Sequence, residues 1–282
     1  YIDVGGGMRA VYGAGVLDRL FDDGVSFPYY LGVSAGSANI ISHLGGHRER
    51  TLRLYRDYSF HKEYMGFDRW IKNGSYLNLD YIYSTLTDEN GLDPLDYEKF
   101  SNSNTRFYAV TTDAQSAQPC YLGRDFIEKN DCFAIKASCS IPLFCPPRSR
   151  GGKSYFDGGV SDPIPVRKAF EAGCDKVIIT LTLPSDFRKK HKFPKWMYPL
   201  VFKKYPLVAK AMYDMIDKYN EDLEYAKSLE EQGKVLILAP DDCCGITTVG
   251  RTKEGLQRLY DKGYCDGARV KEIMLSWEKT SE

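Results

Sequence analysis

The sequence predicts an α/β fold, with a central mostly parallel sheet flanked by helices. Three observations carry the prediction. Short apolar runs at residues 29–33, 176–183 and 235–238 have the length of strands buried on both faces. Amphipathic segments of helical period separate them. Glycine-rich turns join strand to helix twice near the start of the chain, giving the strand–helix–strand–helix order of a parallel sheet. In such sheets a ligand site lies at the carboxyl ends of the strands.

Along the chain, a first strand ends at Val4 and leads into a helix over residues 10–22. There Val11, Ala14, Val16, Leu17, Leu20 and Phe21 recur at helical spacing, and Asp23-Gly24 stops the helix. A buried strand follows at 29–33 and a helix at 36–44. Residues 48–97 read as helical, aromatic and irregular, with Tyr55, Tyr58, Phe60, Tyr64, Phe67, Trp70 and Tyr76. They either cap a site or pack as core. Strands at 106–112 and 118–122 suit a hairpin, and a helix is predicted over 124–137. A short strand at 154–156 runs into Asp157-Gly158-Gly159. Asp162-Pro163 then gives an N-cap and first-turn proline to a helix that Gly173 ends. After the strand at 176–183, a helix is expected over 213–231, a strand at 235–238, and two C-terminal helices at 253–263 and 268–277.

The 282 residues suffice for one large α/β domain, and no internal repeat divides them. We read 1–282 as a single domain. Its chemistry-bearing motifs fall in about 1–183, and a lid-like basic and aromatic segment plus a helical part occupy about 184–282. Apolar residues make up 43% and charged residues 27%, the balance of a soluble globular protein. Lys and Arg number 38, as do Asp and Glu, so no overall charge draws the chain to nucleic acid. No apolar run approaches the length of a membrane span. The eight cysteines include no C-x-x-C pair, which fits reduced thiols in the cytoplasm. The four histidines lack metal-ligand spacing, so no metal is expected. The opening Tyr1-Ile2-Asp3-Val4, without an initiator Met, leads us to expect residues upstream and leaves a targeting signal open.

Three strings carry chemistry. The first, Gly5-Gly6-Gly7-Met8-Arg9, opens a helix, where unpaired backbone N–H groups and the helix dipole favour negative charge. The second, Gly32-Val33-Ser34-Ala35-Gly36, is a G-x-S-x-G string between a strand and a helix. A serine on such a strained turn needs small neighbours, because bulk would block its hydroxyl from a carbonyl. Gly32 and Gly36 supply them. The third, Asp157-Gly158-Gly159, places a carboxylate on a tight glycine turn at a strand end. A serine hydroxyl needs a positioned base to attack. A tetrahedral acyl intermediate needs donors for its oxyanion. Each string alone is weak; together, in this order, they point to a serine acyl hydrolase.

In that order the strings resemble the patatin-like phospholipase family, whose pattern is a glycine-rich oxyanion string, then G-x-S-x-G, then D-G-G or D-G-A. Ala137-Ser138-Cys139-Ser140-Ile141-Pro142 with Pro146-Pro147 is similar to the segment before the family's aspartate. Gly173-Cys174-Asp175-Lys176-Val177-Ile178-Ile179 is similar to the strand after it. The likeness spans about 1–183, roughly two-thirds of the chain, and residues 259–264 are similar to the tail of a bacterial subgroup. Val4 stands where the family usually has an acid, and Ala10 where it has glycine. The resemblance implies a patatin-like three-layer sandwich that hydrolyses phospholipids or related acyl esters without metal or cofactor. It implies Ser34 as nucleophile and Asp157 as general base, a dyad with no histidine. It also implies Gly5, Gly6, Gly7 and Met8 as oxyanion-hole amides, with Arg9 fixing their loop.

Two other readings stay open. In an α/β-hydrolase triad the histidine follows the acid, and only His191 does so. It stands in Arg188-Lys189-Lys190-His191-Lys192, a setting that suits a solvated loop. A lipid-binding or regulatory protein, by contrast, would keep the pocket without turnover. Residues 187–210 carry eight Lys or Arg and no acid, interleaved with Phe193, Trp196, Met197, Tyr198, Leu200, Phe202 and Tyr205. That mixture suits either peripheral contact with an anionic lipid surface or a lid whose aromatics pack inward. Prolines at 194, 199 and 206 break any single long helix there. The expected partners are therefore a lipid or acyl-ester substrate and a membrane surface, in the cytoplasm or at its membrane face. Composition leaves the oligomeric state open.

Overall fold

The computed structural model describes residues 1–279. Eight strands form one sheet: β1 (Ile2–Asp3), β2 (Tyr29–Val33), β3 (Arg106–Asp113), β4 (Pro119–Leu122), β5 (Arg148–Arg150), β6 (Lys153–Asp157), β7 (Val177–Thr180) and β8 (Val235–Leu238). Their order is β5-β6-β3-β2-β1-β7-β8, with β4 paired to β3 off that path. From β8 through β7, β1 and β2 to β3 every pairing is parallel, whereas β4, β5 and β6 form an antiparallel edge. The hairpin expected at 106–122 is the β3–β4 pair.

Among the described residues the α-helices are α1 (Val11–Asp22), α2 (Ala35–Leu44), α3 (Arg50–Arg56), α4 (Phe67–Asn73), α5 (Tyr97–Asn102), α6 (Phe133–Ser138), α7 (Val166–Glu171), α8 (Met197–Val201), α9 (Pro206–Glu231) and α10 (Lys253–Lys279). The pleat sends successive strand residues to opposite faces, and two cores form accordingly. Tyr29, Leu31, Val33, Ile179 and Ile237 pack with α7 and α9. Tyr30, Phe107, Ile178 and Leu236 pack with α1, α2 and α10 on the other face. The layers are helices, sheet, helices, so the predicted α/β architecture holds. Burial on both faces explains why these strands are unbroken apolar runs.

Several local expectations need correction. The helix predicted over 124–137 is a 3-10 turn at Arg124–Phe126, a reverse turn, and then α6. Asn130, with φ of 65°, makes that turn, and Glu128 and Asp131 bridge across it. The two C-terminal helices are one, because Gly263 and Gly267 are contact points rather than stops. A Cβ on Gly263 would strike the Tyr12 carbonyl, and one on Gly267 would press on the Arg19 side chain. Helix α9 begins at Pro206, since proline suits a first helical turn, so the lid-like segment ends inside it. The aromatic stretch 48–97 supplies part of the core, since Leu52, Tyr55, Tyr64, Leu77, Ile82 and Tyr83 join the α1–α2 side, while Phe60, Phe67 and Trp70 stay exposed. No helix among the described residues is long and apolar enough to cross a membrane.

Candidate active site

The glycine string leaves the carboxyl end of β1 through three successive residues of positive φ, Gly5 at 65°, Gly6 at 126° and Gly7 at 64°. Residues with a Cβ rarely adopt that conformation, which is why glycine stands at all three positions of this tight turn. Two of the four amides in the string are already engaged. The Gly5 N–H donates to Asp3 Oδ1 at 3.0 Å and the Met8 N–H to the Thr248 carbonyl at 3.1 Å. Those of Gly6 and Gly7 have no acceptor among the described residues. Asp3 is wholly buried beneath the loop, where the Asn39 side-chain amide also donates to it at 2.8 Å. Burial pushes its carboxyl up to about 6, against the pull of Asn39 and the Gly5 amide.

Ser34 stands between β2 and α2 with φ 54° and ψ −131°, a strained conformation for a residue with a Cβ. Tight surroundings hold it there. A Cβ on Gly32 would strike Ser37, and one on Gly36 would strike the Asp3 backbone. The Ser37 hydroxyl donates to the Ser34 carbonyl at 2.6 Å. The Ser34 N–H donates to Ser138 Oγ at 2.8 Å, and that hydroxyl donates to the Val110 carbonyl at 2.6 Å. Ser138, fully buried at the end of α6, thus ties the serine turn to β3.

Strand register brings Asp157 to the same place. Val33 pairs with Val110, and the next residue of β3, Thr111, pairs with Asp157. Ser34 and Asp157 therefore sit on either side of β3, at one end of the sheet. The Gly159 N–H donates to Asp157 Oδ1 at 2.8 Å and holds that carboxyl in place. Burial raises the Asp157 carboxyl to about 6, while the Ser34 hydroxyl, the Gly159 amide and the Lys189 charge pull it back. Such a group is a stronger base than a free aspartate and is still ionised at neutral pH.

Ser34, Asp157 and the string Gly5, Gly6, Gly7 and Arg9 line one cavity of about 180 Å³. Its remaining wall is largely apolar, with Ile141, Pro142, Val160, Met212 and Met215, and the further polar groups are Thr182, Lys189, Tyr219 and Thr248. Met8 turns into the core instead. No residue of 48–97 lines the cavity, nor does His191. His191 bonds Asp217 at 3.0 Å and stacks on Tyr213 at 4.1 Å, at the surface of α9. His43, the buried histidine behind the serine turn, lies 3.3 Å from the Tyr30 hydroxyl, and burial pushes it down to about 4. Among the described residues no cluster of His, Cys, Asp or Glu is placed to hold a metal ion.

Sequence reading passed over Asp3, Ser138, Lys189 and Thr248. Only Asp3 carried a local signal, an acid inside an apolar strand. The other three reach the site from segments that are far away in sequence.

A model of the patatin-like phospholipase family matches residues 4–170, more than half of the chain. A domain of unknown function (DUF6363) matches residues 205–279. "Uncharacterized protein YjjU" of Escherichia coli K12 is 28% identical over 194 residues, 68% of this chain and 53% of its own length. The chain thus spans about half the length of that curated relative. VipD from Legionella pneumophila has a similar fold, with a TM-score of 0.50 at 14% identity, over 95% of this chain and 66% of that one. With the family match taking in the glycine string, the serine turn and the Asp-Gly-Gly turn together, the chain belongs to the patatin-like phospholipase family.

Proposed function

We propose that this protein is a serine acyl hydrolase that cleaves carboxylic esters of lipids through an acyl-Ser34 intermediate, with Asp157 as general base. Family membership supports lipid acyl hydrolase activity in general. The observation that carries the finer reading is one cavity shared by a strained serine, a buried carboxylate and two unengaged amides.

In this mechanism Ser34 Oγ attacks the ester carbonyl carbon as its proton passes to the Asp157 carboxylate. The Gly6 and Gly7 amides hold the oxyanion; Gly5 and Met8, assigned to that task by resemblance, instead brace the loop. The tetrahedral intermediate collapses and the alcohol leaves with the proton from Asp157. Water then attacks the acyl-serine, Asp157 takes its proton, and the fatty acid departs as that proton returns to Ser34. Ile141, Val160, Met212 and Met215 offer an apolar wall for the acyl chain.

The same reading includes contact with a lipid surface. Phe193, Trp196 and Leu200 are well exposed, among Lys190, Lys192 and Lys195. This segment continues directly from Lys189, a wall of the cavity.

Hydrolysis of p-nitrophenyl octanoate tests the dyad. Ser34→Ala and Asp157→Asn are each expected to lower kcat/KM by at least about 10²–10⁴. His191→Ala should stay within about twofold, since loss of a base would fall in the former range. Substantial turnover by Ser34→Ala would overturn the reading. An inert wild type that also resists a fluorophosphonate would favour a binding protein.

A further inference from the structure

One buried acid beside the site has no part in the proposed mechanism. Asp3 ends β1, just before the turn into the glycine string, and is fully buried. Its neighbour Val4 lines the cavity, whereas the Asp3 carboxylate reaches α2 instead. Both carboxylate oxygens accept from neutral donors, Oδ1 from the Gly5 N–H at 3.0 Å and Oδ2 from the Asn39 side-chain amide at 2.8 Å. The same amide nitrogen also donates to the Ala10 carbonyl at 2.8 Å, and the Asn39 oxygen accepts from the Tyr55 hydroxyl at 3.1 Å. Asn39 thus holds the chain just before the glycine string and just after it, from the helix that Ser34 precedes. A charge buried among neutral donors is costly, and asparagine would fill the same space without one. What asparagine lacks is the second acceptor, since its amide nitrogen would face one of the two donors. Only a carboxylate satisfies both.

We propose that Asp3 and Asn39 are positioning residues that clasp both ends of the glycine string to α2, and so fix the Gly6 and Gly7 amides against Ser34. This role rests on the acyl-hydrolase reading of the same cavity and adds to it two residues that touch no substrate. A Cβ on Gly5 would strike the Val33 carbonyl, and one on Gly36 the Asp3 carbonyl, so the string and the serine turn pack backbone to backbone. A Cβ on Gly13 of α1 would strike Asp3 Oδ2, which leaves no room for a longer acid. Packing sets how close the two segments come. The directional bonds of Asn39 set how they are turned. An oxyanion hole depends on that orientation, because its donors stabilise the developing charge only when aimed at it.

Turnover of p-nitrophenyl octanoate and hydrogen–deuterium exchange, both on the whole protein, test the clasp. Asp3→Asn keeps the side chain's size and is expected to lower kcat by about 10–10²-fold, the cost of a small misplacement, with KM within about twofold. Exchange of the backbone amides of residues 5–10 should quicken in the same variant. Asn39→Asp turns two carbonyl-type acceptors against its own and should lower kcat similarly. Asp3→Asn combined with Asn39→Asp restores the donor–acceptor match between the two side chains, and should recover at least about fivefold in kcat over Asn39→Asp alone. A merely structural pair would lower Tm and leave kcat per folded molecule unchanged. Wild-type kcat in folded Asp3→Asn, or a double variant no faster than Asn39→Asp, would overturn the clasp. If Asp3→Asn does not fold, Tyr55→Phe carries the test: it removes one bond to Asn39, kcat should fall about two- to tenfold, and an unchanged kcat would overturn the proposal. Substantial turnover by Ser34→Ala sinks the acyl-hydrolase reading, whereas unchanged amide exchange in Asp3→Asn sinks the clasp, so the two failures are distinguishable.

Discussion

As the proposed base, Asp157 would trade stability for chemistry. Its carboxyl, ordinarily near 3.8, is raised to about 6 by burial. As the proposed base it must be ionised, so kcat/KM should rise with pH through an apparent pKa near 6 and then level off. The same shift sets a sign for stability. Below pH 4 the group is protonated in both folded and unfolded chains. Between about 4 and 6 the unfolded chain releases its proton first, so stability falls as pH rises, and the full deficit persists above 6. Asp157→Asn removes that titration while keeping an oxygen for the Gly159 amide. The variant should therefore be inactive yet more stable than the wild type at pH 7, by roughly 1–3 kcal/mol, with the gain shrinking towards pH 4. Urea denaturation at pH 4.5 and pH 7 measures both differences. A variant less stable at pH 7 would mean that the carboxylate's bonds outweigh its desolvation.

At the scale of elements, α1 and α10 pack extensively against each other, and glycines set their spacing. Gly15 of α1 meets the Tyr260 carbonyl, and Gly263 of α10 meets that of Tyr12. Gly263→Ala should gain about 1 kcal/mol of helix propensity. The new methyl group would nevertheless press on backbone, which cannot yield as a side chain does, and overpacking of this kind costs about 1–3 kcal/mol. We expect net destabilisation, a fall in Tm of a few degrees at roughly 2–4 °C per kcal/mol. A Tm that rises would show that the helices can part without loss. The same pair explains where sequence reading failed. Glycine within an amphipathic pattern looks like a helix stop, and only the partner helix reveals it as a contact. Strands such as β2 and β8 were legible because burial on both faces leaves an apolar run that needs no partner to be recognised. The glycine string, the serine turn and Asp157-Gly158-Gly159 were legible for a similar reason, since each is a local conformation written in adjacent residues. What supports them was not. Ser138 reaches the Ser34 amide across more than a hundred residues, and Thr248 reaches Met8 across more than two hundred.

For the whole molecule, the count of 38 cations against 38 anions rules out attraction to membranes by net charge alone. Any attraction must be local, and the segment after Lys189 is where basic and apolar groups coincide. Trp196 is 67% exposed and Phe193 56%, which is unusual for large aromatics in a chain with so many buried ones. The segment divides between the two readings the composition allows. Phe202 is buried, and the rings of Tyr198 and Tyr205 meet those of Tyr213 and Phe156. Phe193 and Trp196 stay exposed, and we propose that these exposed rings meet a lipid surface. An interfacial aromatic gains by leaving water for the headgroup zone, while the adjacent lysines are drawn to anionic lipid. The wild type is therefore expected to co-sediment with vesicles containing phosphatidylglycerol and less with vesicles of phosphatidylcholine alone. Phe193→Ser with Trp196→Ala should weaken binding to both. Lys190→Gln with Lys192→Gln and Lys195→Gln should abolish the preference for the anionic lipid, and raised salt should do the same, because the Debye length shrinks from about 10 Å at 0.1 M to about 3 Å at 1 M. None of these five residues lines the cavity, so turnover of a soluble short-chain ester reports whether each variant is folded. Vesicle binding that survives both sets of substitutions with that turnover intact would place the membrane face elsewhere on the molecule, and the exposed Phe67, Trp70 and Ile71 of α4 would be the next residues to test.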